Sequence, residues 1–189
     1  MLTVEKMAAI TIFVIAFALL IQPFVSGRDN KHLQAHAIVT NAQNHSTFEC
    51  WQFVEPVTIS SVSGAEGAAV FSFPNTKQAD YTTIPARFDG GLHNAPVPQL
   101  VVPLAGLAHV TLPIPTHEDS SMNELWVVGG GLGAILALDT EGLGHISTYP
   151  SDQPTVILQM PFGSIDDIPA HKVVSTGPCH FSSAADQLV

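Results

Sequence analysis

Four side chains able to take part in chemistry stand in two short runs of the sequence. His93 and Gln99 lie in GGLHNAPVPQ, and His145 and Tyr149 lie in GHISTY. A neutral imidazole can accept, donate or shuttle a proton near physiological pH, and an amide can donate to a developing oxyanion. What these residues do together depends on whether the fold brings them to one cavity.

Other chemistries lack the residues that they need. The sequence has no Gly-x-Ser-x-Gly elbow for hydrolysis and no obvious pair of carboxylates for glycosidase chemistry. The glycine-rich run at 129–133 is followed by no Gly-Lys-Ser/Thr, so it predicts a tight turn or bulge, not a phosphate loop. The net charge of −10, from 6 basic and 16 acidic residues, argues against a nucleic-acid partner.

The elements that must position these residues are predicted to be strands. From residue 48 onward, short runs rich in Val, Ile, Thr and aromatics are separated by turn residues, which is typical of a sandwich, jelly roll or small barrel. The predicted strands are Phe48–Phe53, Val57–Val62, Ala68–Phe73, Tyr81–Ile84, Gln99–Leu104, Ala108–Leu112, Glu124–Val128, Ala134–Leu138, His145–Tyr149, Thr155–Met160 and Lys172–Ser175.

The first residues predict a targeting segment. Lys6 precedes an apolar run at 7–21, Pro23 follows it, and small residues lead to Gly27. This pattern is typical of a signal peptide, 1–27, cleaved after Gly27. A retained signal anchor is the alternative, but a spanning helix needs about 20 apolar residues. We therefore expect a protein of the secretory-pathway lumen or the exterior, without stable membrane association after cleavage.

Secretion sets the expectation for the cysteines and for one asparagine. Cys50 and Cys179 are the two cysteines of the chain, and in an oxidising compartment they are expected to form a disulfide. Asn44 begins an Asn-His-Ser sequon and is the predicted glycosylation site. The predicted organisation is a flexible N-terminal arm at 28–47, a β-rich body at 48–180 and a C-terminal tail at 181–189.

The stretch from Gly90 to Gly106 resembles the first motif of the cupin superfamily. In that motif a glycine precedes His-x-His, a glutamate and a second glycine. Here His93 takes the first histidine position, Ala95 stands at the second, and Gln99 stands where the glutamate would be.

The second cupin motif has a weaker counterpart around His145. Gly133, Asp139 and Gly142 precede His145 with one inserted residue, and Asp139 stands where the motif has proline. The runs FDGGLHNAP, LAGLAHVTLP and GHISTYPSD also resemble secreted cupin-like proteins of filamentous fungi. The resemblance covers residues 88–160 and implies a cupin-like jelly-roll β-barrel with a central pocket.

The resemblance also implies a metal, which this sequence supports only in part. Metal-binding cupins hold iron, manganese, nickel or zinc through three histidines and a glutamate. Only His93, Gln99 and His145 match, and an amide is a poor replacement for a carboxylate. His109 and His117 are the conceivable substitutes. We expect no bound metal, with a divalent transition metal on these three residues as the alternative.

The expected function is a cofactor-free cyclase or isomerase of secondary metabolism. His93, Gln99, His145 and Tyr149 are the predicted catalytic residues, acting on a hydrophobic small molecule; a hetero-Diels–Alder catalyst is the most concrete version. A metal-dependent cupin oxygenase and a non-catalytic module for a small molecule or sugar are the alternatives. A purely structural role for Gln99 stays open, as does assembly as a monomer or a homodimer.

Overall fold

The computed structural model describes residues 31–130 and 133–189. The predicted signal peptide, 1–27, lies outside the described residues. Short 3-10 turns at Ser120–Asn123, Ile165–Asp167 and Ala184–Gln187 are the helical elements of the described ranges. No helix in these ranges is long and apolar enough to cross a membrane. The strands are β1 (His32–Thr40), β2 (Ser46–Pro56), β3 (Thr58–Ile59), β4 (Ala69–Val70), β5 (Asp80–Ile84), β6 (Phe88–His93), β7 (Gln99–Ala105), β8 (Leu107–Thr111), β9 (Glu124–Val128), β10 (Ile135–Ala137), β11 (His145–Tyr149), β12 (Thr155–Pro161) and β13 (His171–Thr176).

The strands form two main sheets and a small hairpin. The large sheet has the order β13-β2-β1-β10-β7-β12-β5, and the small sheet has the order β6-β11-β8-β9. Neighbouring strands are antiparallel except β1 and β10, which are parallel. The all-β prediction is confirmed. The sheets form a sandwich of jelly-roll type, but the barrel is not closed.

A hydrophobic core joins the two sheets. The strands β8 and β9 bury every second residue because one face of a pleated strand meets the opposite sheet. Val110 and Val127 from the small sheet pack in one cluster with Ile38, Phe48 and Ile135 from the large sheet. Full burial of an apolar side chain of this size contributes about 1.5–3 kcal/mol. This cluster fixes the separation of the two sheets.

The other face of the large sheet is also covered. Phe53, Leu100 and Leu136 belong to a second core cluster, on which Phe71 and Phe73 pack. The ring centroids of Phe53 lie 4.8 Å from Phe71 and 5.3 Å from Phe73. The segment after β4 therefore seals the outer face of the sheet.

The predicted flexible arm at 28–47 is wrong for its described part. Residues 32–40 form β1, which lies between β2 and β10 inside the large sheet. Four consecutive residues, Ala35–Ile38, are buried because both faces of this strand are covered. The C-terminal tail is likewise attached, since His32 and Val189 exchange two backbone hydrogen bonds.

Two further strand predictions need correction. The sequence analysis assigns no strand to 88–93, yet Phe88–His93 forms β6 at the edge of the small sheet. The predicted strands Val57–Val62 and Ala68–Phe73 are much shorter in the structure: β3 and β4 have two residues each and pair as a hairpin. The residues of this hairpin are exposed, and its two strands pair with no other strand in the described part of the chain.

The predicted disulfide is confirmed. Cys50 in β2 is bonded to Cys179, and their Cα atoms are 4.6 Å apart. Both residues are buried. The bridge holds the segment after β13 against the sheet, where the backbone N–H of Cys179 donates to Nδ1 of His36 at 3.1 Å.

The neutral form of His36 is predicted to make the protein sensitive to acid. Burial, assisted by the charge of His180, lowers the pKa of His36 to about 4 from 6.5. The unfolded chain therefore binds this proton first as the pH falls, and stability decreases from pH 6.5 down to about 4, by about 3 kcal/mol. Urea unfolding at pH 7 and pH 4.5 measures this decrease. In His36→Gln, which keeps a hydrogen-bond acceptor without titrating, we expect a visibly flatter pH dependence; an unchanged slope would contradict this assignment.

Candidate functional site

A cavity of about 280 Å³ lies between the two sheets. The four residues singled out from the sequence, His93, Gln99, His145 and Tyr149, all line it. The remaining lining is mostly apolar and comes from both sheets: Ile38, Ala95, Pro96, Val101, Pro103, Ala108, Val110, Ile135, Ala137, Ser147, Ile157 and Gln159. A mostly apolar cavity with a few convergent polar groups is the usual character of a small-molecule site.

Two neighbouring strands bring the histidines together. His93 ends β6, His145 begins β11, and the two residues are directly paired in the antiparallel ladder. Their ring centroids are 4.6 Å apart with the planes at 60°. Gly144, at φ +78°, permits this approach, because a Cβ there would collide with the carbonyl group of His93. The two imidazoles therefore face the same cavity.

His145 is held by a buried carboxylate. Nδ1 of His145 lies 2.8 Å from Oδ2 of Asp139, which also accepts a hydrogen bond of 2.7 Å from the hydroxyl of Ser46. Asp139 is fully buried, and no group in the described part of the chain bonds to its Oδ1. Because a carboxylate accepts, Nδ1 of His145 carries the proton. Nε2 is then left with its lone pair.

His93, at the mouth of the cavity, is also hydrogen-bonded through its Nδ1. Its Nδ1 lies 3.0 Å from the carbonyl oxygen of Gly91 and therefore donates to it. The side chain is exposed, whereas His145 is buried. Each imidazole thus has Nδ1 engaged by an acceptor and Nε2 available, which is the arrangement of a base and not of a donor.

The opposite wall of the cavity belongs to β7. Gln99, Val101 and Pro103 alternate along the strand and all line the cavity, while Leu100 packs in the outer core cluster. This is the phase that strand geometry predicts. Gln99 is 6% exposed, and its Oε1 accepts a hydrogen bond from Nε2 of Gln159 at 3.4 Å. The amide NH₂ of Gln99 is the part left for a ligand.

Tyr149 stands at the far end of β11 from His145. Its ring is half-buried, and burial raises the pKa of the Tyr149 hydroxyl above its ordinary value. The centroid of Phe88 lies 6.2 Å from that of Tyr149. A neutral phenol in this position can donate a hydrogen bond to a ligand.

The histidines considered as further metal ligands lie elsewhere. His109 points to the outer face of the small sheet, where it stacks on Trp126 at 3.7 Å and pairs with Glu124 at 2.8 Å. His117 lies in the loop before the first 3-10 turn and does not line the cavity.

The donor set of the cavity fits a transition metal poorly. It offers two imidazoles and one amide, whereas such ions are usually held by three or four strong donors. Among the described residues, no group of three or more His, Cys, Asp or Glu side chains could hold a metal ion. No step proposed below uses one.

Three residues that shape the site have no predicted role from the sequence. Asp139 stands there only as a departure from a motif, although it binds His145. Ser46 is only the last residue of the sequon, and Gln159 is only part of a predicted strand. The phase of Gln159 along β12, which places it beside the inward-facing Val101, is the one sequence signal that could have indicated its position.

The sequence has no match among the known proteins with which it was compared. Neither a scan against protein-family models nor a search of the curated proteins found a match for this sequence.

Proposed function

We propose that this protein is an enzyme that isomerises or cyclises a hydrophobic small molecule by proton transfer, without redox chemistry. The observation that carries the proposal is the hydrogen bond between His145 and the buried Asp139 at the wall of an apolar cavity. A buried histidine–carboxylate pair costs stability unless it is well satisfied. Its position beside a cavity therefore supports a functional role more than a structural one.

The mechanism begins with substrate binding between the two sheets. The apolar lining takes up the carbon skeleton and excludes water, which strengthens the remaining polar interactions. Nε2 of His145 then removes a proton from the substrate. Asp139 and Ser46 stabilise the imidazolium that forms, because the carboxylate accepts from Nδ1 and is itself held by the hydroxyl.

The remaining polar groups complete the proposed reaction. Gln99 donates from its amide to the negative charge that develops on the substrate. His93 and Tyr149 orient polar substituents near the ends of β11 and exchange protons with them. A pericyclic closure, such as a hetero-Diels–Alder reaction, would use the same shape and hydrogen bonds without any proton removal.

The proposed location is the secretory-pathway lumen or the exterior. The buried disulfide supports it, because such bonds persist in oxidising compartments. The net charge of −10 agrees with a small-molecule partner and disfavours nucleic acid. The expected cleavage after Gly27 and glycosylation of Asn44 belong to this proposal, and the intact mass of the secreted protein measures both.

The function is tested with a probe for a base in an apolar cavity. Removal of the ring proton of 5-nitrobenzisoxazole breaks its N–O bond and releases a coloured nitrophenolate, with no cofactor involved. We expect saturable turnover by the wild-type protein, inhibited competitively by naphthalene. His109→Ala is the matched control, since this variant removes an imidazole outside the cavity and should leave turnover unchanged.

A non-catalytic binding module is the second candidate, because the cavity has the size and lining of a ligand site. It predicts that the probe or naphthalene binds but that no nitrophenolate is released above the rate in buffer. That result would overturn the proposed proton transfer and leave the cavity as a binding site.

A further inference from the structure

A chain of hydrogen bonds crosses three neighbouring strands of the large sheet and ends at the cavity. The hydroxyl of Thr82 in β5 donates to Oε1 of Gln159 in β12 at 2.8 Å. Nε2 of Gln159 donates in turn to Oε1 of Gln99 in β7 at 3.4 Å. The strand order β7-β12-β5 places these side chains side by side, so the chain runs from the sheet edge inward.

This chain has a direction. Each amide uses its carbonyl oxygen toward the sheet edge and therefore turns its NH₂ toward the cavity. The last group of the chain is the NH₂ of Gln99, a donor to which the described residues offer no hydrogen-bond acceptor. Since Gln99 is 6% exposed, reversing its amide alone would place two NH₂ groups against each other in a buried position. The amide orientation of Gln99 thus follows from that of Gln159, which also lines the cavity, and from the hydroxyl of Thr82, which lies outside the cavity lining.

The small sheet, on the other side of the cavity, offers hydrogen-bond acceptors instead of a donor. In their neutral forms both imidazoles carry a lone pair on Nε2, because Nδ1 of His145 donates to Asp139 and Nδ1 of His93 donates to Gly91. The cavity consequently offers acceptors on the small sheet and a donor on the large sheet. A ligand that satisfies both walls must present an acceptor to one side and an acidic hydrogen to the other.

We infer that the cavity takes an enolisable carbonyl compound, with Gln159 and Thr82 as the positioning residues that make Gln99 a donor to its oxygen. This inference rests on the proposed function. His145 breaks a C–H bond beside the carbonyl, the electron pair moves onto the carbonyl oxygen, and Gln99 donates to that oxyanion. Return of the proton to another carbon of the conjugated enolate shifts the double bond, with no oxidant or reductant consumed.

Binding of two probes of the same shape tests the inference without requiring turnover. The probes are 2-acetylnaphthalene, which has a carbonyl oxygen, and 2-isopropenylnaphthalene, which has a methylene group in its place. In the wild-type protein we expect the ketone to bind about fivefold more tightly, as one net hydrogen bond allows. The side-chain NH₂ resonances of Gln99 should shift with the ketone only.

Thr82→Val removes the first donor of the chain and should reduce the ketone preference to less than about twofold. Thr83→Val, its neighbour on the exposed face of the same strand, is the matched control and should keep the preference. Gln159→Met removes the middle link and provides a second variant if the first one folds poorly; because Gln159 also lines the cavity, its effect is read as the ketone preference at an unchanged affinity for 2-isopropenylnaphthalene.

The outcomes separate this inference from the function on which it rests. Equal binding of the two probes by the wild type, or a preference that survives both variants, would overturn the directed chain and leave the base in the cavity intact. If neither these probes nor 5-nitrobenzisoxazole enters the cavity, the proposed function fails and the inference fails with it.

Discussion

Replacing His145 by alanine is expected to lower the rate of 5-nitrobenzisoxazole opening by about a thousandfold, the usual contribution of a positioned general base. The physical reason is that His145 is the one buried imidazole of the cavity, and its Nε2 has no other task in the described part of the chain. His93 is exposed, so His93→Ala should reduce the rate by a smaller factor.

Asp139→Asn tests whether the charge of the carboxylate is needed beyond its hydrogen bond to His145. An amide of equal size keeps the cavity but provides no charge to stabilise the imidazolium and no longer fixes the tautomer, so we expect a loss that approaches that of His145→Ala, with an unchanged probe affinity. The folded fraction of each variant is measured by urea unfolding beside the assay. A variant that loses stability but keeps its rate per folded molecule would show that the His145–Asp139 pair is merely structural.

Removing the disulfide is expected to produce the largest loss of stability. The bridge joins residues 129 positions apart, and in the chain-entropy model a loop of that length contributes about 5 kcal/mol. Domains of this kind are stable by about 5–15 kcal/mol in total. Cys50→Ala/Cys179→Ala should therefore be close to unfolding at physiological temperature.

Urea unfolding of the double variant and of reduced wild-type protein measures this loss. The two should agree, because both remove the same loop closure. A decrease below about 1 kcal/mol in both would mean that the contacts of the C-terminal segment, including the hydrogen bond from Cys179 to His36, are sufficient to hold the chain ends together.

Sequence patterns predicted the strands whose faces differ. Glu124–Val128 and His145–Tyr149 have the predicted bounds because one face of each meets the opposite sheet and the other meets solvent. The strand β1 was not predicted because its centre is buried on both faces, so polar and apolar residues do not alternate along it. The strand β6 escaped because its two central glycines are typical of a turn.

Only those features of the site that depend on the alternation of side chains along a single strand could be predicted from the sequence. Alternation along β7 places Gln99, Val101 and Pro103 on one face, whereas the side toward which this face turns is set by the packing of the two sheets. The pairing of His93 with His145 depends on the register between β6 and β11, which no local pattern states. Asp139 reaches His145 through a loop turn, and Ser46 reaches Asp139 across 93 residues. Contacts of this kind are set by tertiary packing, so they appear only in the folded structure.

The hydroxyl of Ser46 would be needed twice if Asn44 is glycosylated as proposed. As the third residue of the Asn44 sequon, it would have to be accessible to the glycosylating enzyme; in the folded protein it is 1% exposed and donates to Asp139. Glycosylation of Asn44 would therefore have to precede closure of the β1–β2 turn over this serine. Ser46→Ala, the customary way to abolish a sequon, would also disturb the His145–Asp139 pair. Asn44→Gln removes the acceptor alone and is the substitution that keeps the two events separate.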